Sequence, residues 1–369
     1  MQNDGEPMKK GKPRIFVGIN EITDFTLNLS RGIRELGFPV TNAVLEPNTP
    51  IVETGVRPDR YIKRGGNKYS HFIHRTAEFI RAAPFHDIFV FIFAESFLPS
   101  ALLTSGSAAV RWLAYRDLPL LRAMGKKIVI VANGCDVRHY SATEKQARED
   151  GFKYHVCIDC DHRDHCSLAL NSKKVEIVER YADSIFTNPV VGGLFKRRFF
   201  NILPPIDLST VSYTFNATDN PLVIHAPTNR SRKGTKYIIE AAGRLEKEGH
   251  RFRFFLCENM TSKETRKTLG ESEIVVDQLL SRGQGLFAVE AMASGNAVLN
   301  HATPGLYGYT AELPVVTSDP DTVYENLKMV LEDTGLREER ARRGRAYVEK
   351  YHDHVAVAGK MLADMGVLH

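Results

Sequence analysis

Residues 155–166, HVCIDCDHRDHC, hold three cysteines and three histidines, and the whole chain has only five cysteines. The C-x2-C spacing of Cys157 and Cys160 lets two thiolates chelate one ion. With Cys166 and with Cys135 from NGCDVR, four sulfurs are available for a tetrahedral zinc site. His155, His162 and His165 are alternative fourth ligands. An iron–sulfur cluster needs the same four thiolates and stays open, as does a buried, inert role for Cys135. A redox C-x-x-C opens a helix, whereas CIDCDHRD reads as a loop. The expectation is a structural zinc that pins a polar insertion, residues 139–168, over a cleft.

A second kind of chemistry lies in the other half. VIHAPTNRSRKGTKYIIEA (223–241) reads as a strand, a basic loop and a helix starting near Gly234. Arg230, Arg232 and Lys233 stand at the helix entrance, where free amides, guanidinium and ammonium groups suit a phosphate. In DQLLSRGQGLFAVEAMASGNAVL (277–299), Gly283 and Gly285 let a loop pass close to a ligand before a helix begins. Glu290 lies in that otherwise small and apolar helix and needs a partner. That partner is a neighbouring basic residue or a pair of ribose hydroxyls.

Strand-like and helix-like segments alternate throughout. RIFVGI, FPVTNAVL, HDIFVFIFA, KKIVIVA and SIFTN read as strands of the first half, with amphipathic helices between them. Strands that are apolar on both faces and separated by helices predict a parallel, doubly wound sheet. The stretch 204–218 breaks the pattern with prolines and turn residues, so a linker is expected there. LVIHAP, RFRFFLC, EIVVD and AVLNH then restart the alternation. The expected class is α/β, with two Rossmann-like doubly wound domains facing a central cleft. The expected boundaries are a tail over 1–12, an N-terminal domain over 13–205 and a C-terminal domain over 206–351. A final helix over 352–369 is expected to pack back on the first domain. Ligands in such sheets bind beyond the carboxyl ends of the strands, here in the interdomain cleft. RIFVGI is followed by NEITDF, without G-x-G-x-x-G, so NAD is not expected.

HAPTNRSRKGT followed by GLFAVEAMASGNAVL resembles the GT-B glycosyltransferases, and most of all glycosyltransferase family 4. The likeness covers roughly 220–350 and extends more weakly to 117–138 and 180–190. It implies transfer of a sugar, with retention, from a nucleoside diphosphate sugar to a saccharide, lipid-linked or other acceptor. It also implies that Glu290 holds the ribose hydroxyls, and that Arg230 and Lys233 bind the diphosphate and stabilise the leaving group. Asn229, Glu258, Gln284 and the amides at Gly285, Leu286 and Phe287 would complete the donor site. Asn20, Glu21, Asn133 and Asp136 would line the acceptor side. Three positions depart from the family pattern. Arg282 stands where an acidic sugar contact is usual, which leaves that contact to Asp277, Gln278 or Gln284. Asn133 stands where many members have histidine, and GINEITDF lacks a second glycine. A donor-only epimerase or hydrolase of the same fold, and a zinc-stapled binding module without chemistry, are the competing readings.

The formal charge of +5 is too weak for a nucleic-acid binder and suits an anionic small ligand. The longest apolar run, Ile88 to Ala94, is too short to span a bilayer, and no secretory leader is visible. A cytoplasmic protein is expected, at the inner face of the membrane if the basic-aromatic run FKRRFF (195–200) touches lipid.

Overall fold

The computed structural model describes residues 11–21, 23–47, 57–161, 166, 168–305, 310 and 312–368. The first half forms β1 (Ile15–Ile19), α1 (Phe25–Glu35), β2 (Val40–Leu45), β3 (Arg60–Ile62), α2 (Lys68–Ala82) and β4 (Ile88–Ile92). It continues through α3 (Ala108–Leu113), α4 (Asp117–Ala123), β5 (Lys127–Ala132), α5 (Tyr140–Glu149), α6 (Leu168–Tyr181), β6 (Ser184–Thr187), α7 (Pro189–Gly192) and β7 (Phe200–Asn201). Its seven strands are parallel, in the order β3-β2-β1-β4-β5-β6-β7. Side-chain alternation splits this sheet between two cores. Phe16, Phe89, Phe91, Ile128 and Ile130 pack on one face. Ile15, Val17, Ile88, Val90, Val129 and Val131 pack on the other.

The second half forms β8 (Leu222–His225), α8 (Arg230–Lys233), α9 (Thr235–Lys247), β9 (Arg253–Leu256), α10 (Ser262–Glu271), β10 (Ile274–Val276) and α11 (Leu286–Ser294). Then come β11 (Ala297–Asn300), β12 (Val316–Thr317), α12 (Val323–Glu332), α13 (Thr334–Tyr351) and α14 (His354–Asp364). Its five strands are parallel in the order β12-β11-β10-β8-β9. Each sheet therefore has one switch point, between β1 and β4 in the first and between β8 and β10 in the second. The loops leaving those strands are where a ligand binds.

The chain crosses between the domains twice, side by side. The Ile206 N–H donates to the His352 carbonyl at 2.8 Å, and the His354 N–H donates to the Ile206 carbonyl at 3.0 Å. Past the crossing, α14 leaves the second domain. Its Val357, Ala358, Met361 and Leu362 join Phe25, Leu29 and Ile33 of α1 in one core. Gly32 is what lets the helices approach, because a Cβ there would lie 2.1 Å from the His354 carbonyl oxygen. Gly32→Ala should therefore cost roughly 1–3 kcal/mol, as overpacked sites do. A denaturation midpoint unchanged from the parent would contradict this contact.

His352 should make the stability of the crossing depend on pH. It is fully buried, its Nδ1 lies 2.9 Å from the Pro204 carbonyl, and burial pushes its pKa from 6.5 down to about 4. Below the unfolded value the unfolded chain takes up a proton that the folded chain refuses. Stability is thus complete above pH 6.5 and falls as pH drops toward 4. This residue alone should remove roughly 2 kcal/mol between about pH 7.5 and pH 5. His352→Gln should flatten that part of the profile. Equal losses in the two proteins would contradict the assignment.

Candidate functional site

The loop after β8 is built on a buried histidine that the sequence pattern does not single out. His225 is fully buried, with Nδ1 2.7 Å from the Val276 carbonyl and Nε2 2.8 Å from the Thr235 hydroxyl. Burial lowers its pKa to about 4, so it ties β8, β10 and α9 together as a neutral imidazole. The next helix starts earlier than expected. The basic residues themselves form the single turn α8, capped by the Asn229 side chain, which accepts from the Arg232 N–H at 2.8 Å. Gly234, in the left-handed region at φ 78°, joins this turn to α9.

That extra turn sends the basic side chains different ways. Arg230 is exposed and lays its guanidinium fork on Glu258, with Nε 2.6 Å from Oε1. This pair holds the Glu258 carboxyl below its ordinary range. Lys233 turns inward and pairs with Asp277, whose carboxylate is fully buried, while its ammonium lies 5.3 Å from the Phe287 ring centroid. The second Asp277 oxygen has no hydrogen-bond partner among the described residues. It faces Gly285, where a Cβ would lie 3.1 Å away. Arg232 crosses the cleft and donates from Nη1 to the Cys135 sulfur at 3.3 Å.

These groups meet the first domain in an open cleft. The sequence-derived residues Asn133, Cys135, Asn229, Lys233, Gln284 and Gly285 line it, as do Phe93, Arg138, Asn188, Thr228 and Arg232. Gly285 caps α11, so the amides at Leu286 and Phe287 have no acceptor within the helix. Asp136 serves the turn rather than the cleft. It is buried, and its carboxylate accepts from the Asn133 N–H at 3.2 Å and the Gly134 N–H at 2.6 Å. Burial raises its pKa despite those bonds.

Glu290 is held at the junction of the two domains by an ion pair. Its Oε1 accepts from Arg266 of α10 at 3.1 and 3.0 Å, and the same guanidinium donates to Asp24 of the first domain at 2.5 Å. Burial raises the Glu290 pKa, and Arg266 works against the rise. The partner required by Glu290 is thus an arginine that also bridges the domains. Neither Arg266 nor Asp24 stands out in the sequence, because the link joins residues far apart in the chain. Asn20 and Glu21 also hold local structure. Asn20 Nδ2 donates to the Ile92 carbonyl at 3.4 Å, and the Glu21 carboxylate accepts from the Thr26 and Leu27 N–H groups at 3.3 and 3.1 Å.

The cysteine-rich insertion behaves differently from the expectation. Among the described residues no three His, Cys, Asp or Glu side chains come together to hold a metal ion. His162 and His165 lie outside the described residues. The Cys157 thiol is buried and pushed up to about 11, so it stays protonated at neutral pH. Cys135 is exposed beside Arg232, Cys160 is half-buried, and the half-buried Cys166 donates to the Arg138 carbonyl. His155 is buried. The insertion instead contains α5 and is held by contacts with the second domain. Asp150 accepts from Arg282 at 3.1 Å, and Phe152 lies 4.3 Å under the same guanidinium. Lys153 and Tyr154 bond Asp321, and Asp159 binds Lys236 and Tyr237. Arg282 is 3% exposed. It docks the insertion and does not face the cleft, because its guanidinium is already covered by Phe152.

In the basic-aromatic run the first and fifth residues pack inward and the basic ones face out. Phe195 is buried and Phe199 packs against the first-domain core, while Lys196, Arg197 and Arg198 are exposed. Among the described residues no helix is long and apolar enough to cross a membrane.

No protein-family model matches the chain, and no curated protein does. Solved structures do. Sucrose-phosphate synthase from Thermosynechococcus elongatus superposes with a TM-score of 0.62 at 13% identity, over 95% of this chain and 97% of that one. HepE from Anabaena, solved in complex with UDP-glucose, gives 0.59 at 12% identity over 97% and 100%. The chain has the GT-B fold. A protein from Listeria monocytogenes described as a UDP-N-acetylglucosamine 2-epimerase also superposes, at 0.53 and 13% identity over 96% of each chain. GT-B places the cleft where the two switch points face one another, and this is where Phe93, Asn133, Thr228 and Gln278 meet.

Proposed function

We propose that the protein transfers a sugar from a nucleoside diphosphate sugar to an acceptor, with retention at the anomeric carbon. The observation that carries this reading is the convergence of Arg232, Lys233 and Gly285, the N-cap of α11, on one cleft. Together they form a cationic, hydrogen-bonding cradle suited to a diphosphate. The UDP-glucose held by HepE supports a donor of that class.

The diphosphate rests against Arg232, Lys233 and the α11 amides. As the bond from sugar to phosphate breaks, charge grows on the leaving diphosphate. The Lys233 ammonium, kept in place by buried Asp277, stabilises that charge without reorganising. Paired to Glu258, Arg230 borders the nucleobase side of the loop. Glu290 binds the ribose hydroxyls, sharing its carboxylate with Arg266 or releasing it. Glu290→Ala should weaken binding of UDP, GDP or ADP by about tenfold or more, the worth of a charge-assisted hydrogen bond. Unchanged affinity in calorimetric titration would remove the ribose assignment.

The second reading is rearrangement or hydrolysis of the donor alone. It is favoured by Arg282, which is taken by Asp150 and so leaves the usual acidic sugar contact unfilled, and by the description of the Listeria neighbour. Product analysis separates the two. Transfer consumes donor only when an acceptor is present, and a rearranging enzyme consumes it without one.

A further inference from the structure

Most cationic side chains where the two domains meet already have a carboxylate. Arg230 has Glu258, Lys233 has Asp277, Arg282 has Asp150, and Arg266 has both Glu290 and Asp24. Two have none among the described residues. Arg232, on the donor-domain side, is accounted for by the diphosphate. Arg138, on the first-domain side, is not.

Arg138 is half-buried and lines the cleft, and no aspartate or glutamate among the described residues lines it. The turn beside it is built to admit the guanidinium. Gly134 has φ 151°, and a Cβ there would lie 3.3 Å from Arg138 Nη2. The nearest acid in sequence, Asp136, is occupied by the Asn133 and Gly134 N–H groups and holds the turn's shape. A guanidinium partly withdrawn from water, without a counter-charge, in a cleft without acids is a receptor for an anion.

We propose that the acceptor carries an anionic group, a carboxylate or a phosphate, and that Arg138 binds it. This rests on the transferase reading above and adds the class of acceptor. Arg138 is carried by the first domain and Arg232 by the second, so the acceptor anion and the donor diphosphate have separate cations. Arg138 thereby selects acidic over neutral saccharides and orients the acceptor toward the donor sugar.

The test uses the full chain and ligand-observed NMR titration with glucuronate, glucose 6-phosphate and glucose. At least one anionic probe should bind about tenfold more tightly than glucose. Glucuronate alone would identify carboxylate, and glucose 6-phosphate alone would identify phosphate. Arg138→Gln should abolish the preference, and Arg138→Lys should restore part of it, with melting temperatures recorded to confirm that both fold. Equal binding of the three probes, no binding of either anion at about 10 mM, or a preference that survives Arg138→Gln would overturn the proposal. UDP, GDP and ADP titrated in parallel test the donor reading by itself. If none binds the unaltered protein, that reading fails, whatever the anions do.

Discussion

Lys233→Ala should lower turnover by about 10²–10³-fold, the cost of removing one preorganised group from a developing charge. The same change should also destabilise the fold. Asp277 is fully buried and Lys233 is 13% exposed, so the truncation strands a carboxylate that has no other cation bonded to it among the described residues. Breaking a buried pair from one side costs roughly 3–5 kcal/mol. The two effects can be separated. In the double variant Lys233→Met with Asp277→Asn, the stranded charge is gone and most of the stability should return. Turnover should not return with it, because the ammonium is still missing. Recovery of both would show that Lys233 acts only as a structural partner of Asp277.

Arg282→Ala should loosen the insertion. The guanidinium holds Asp150 by a charged hydrogen bond and covers Phe152, whose ring also lies edge-on to His301 at 6.1 Å. Asp150 is 33% exposed, so its share is screened, and the loss should be roughly 1–3 kcal/mol. The effect should be local. Amides over 150–161 should exchange about tenfold faster for each ~1.4 kcal/mol lost, while those of β8 and β10 keep their protection. Uniform acceleration across the chain would mean that Arg282 supports the second domain and not the insertion. No change at all would mean that the other contacts, through Asp321 and Asp159, hold the insertion without it.

What could be read from the sequence was what depends on local pattern. Buried runs such as IFVFI marked the parallel strands, and the helical spacing of Phe25, Leu29 and Ile33 marked α1. The carboxyl end of β8 pointed to the basic loop. What escaped was set by contacts between distant residues. Residues 140–149 read as polar insertion because α5 buries only Thr143 and Ala147 and is otherwise polar. Arg282 read as a departure in sugar recognition because its partner is 132 positions away. The bond from Arg266 to Asp24, in the bridge that also holds Glu290, spans 242 positions and leaves no local mark. The direction of Arg230 depended on one helical turn that sequence spacing had placed in a loop. The cysteine spacing suggested a metal because ligand types are visible in a sequence and their convergence is not.

Whether the cleft between the two switch points binds a nucleoside diphosphate sugar is tested most directly by calorimetric titration with UDP-, GDP- and ADP-glucose. At least one should bind the unaltered protein with a Kd in the range of about 1 μM to 1 mM. The same donor should bind the double variant Lys233→Met with Asp277→Asn about tenfold more weakly. Absence of binding by all three donors and by their nucleoside diphosphates, or equal binding by the two proteins, would contradict the donor site described above.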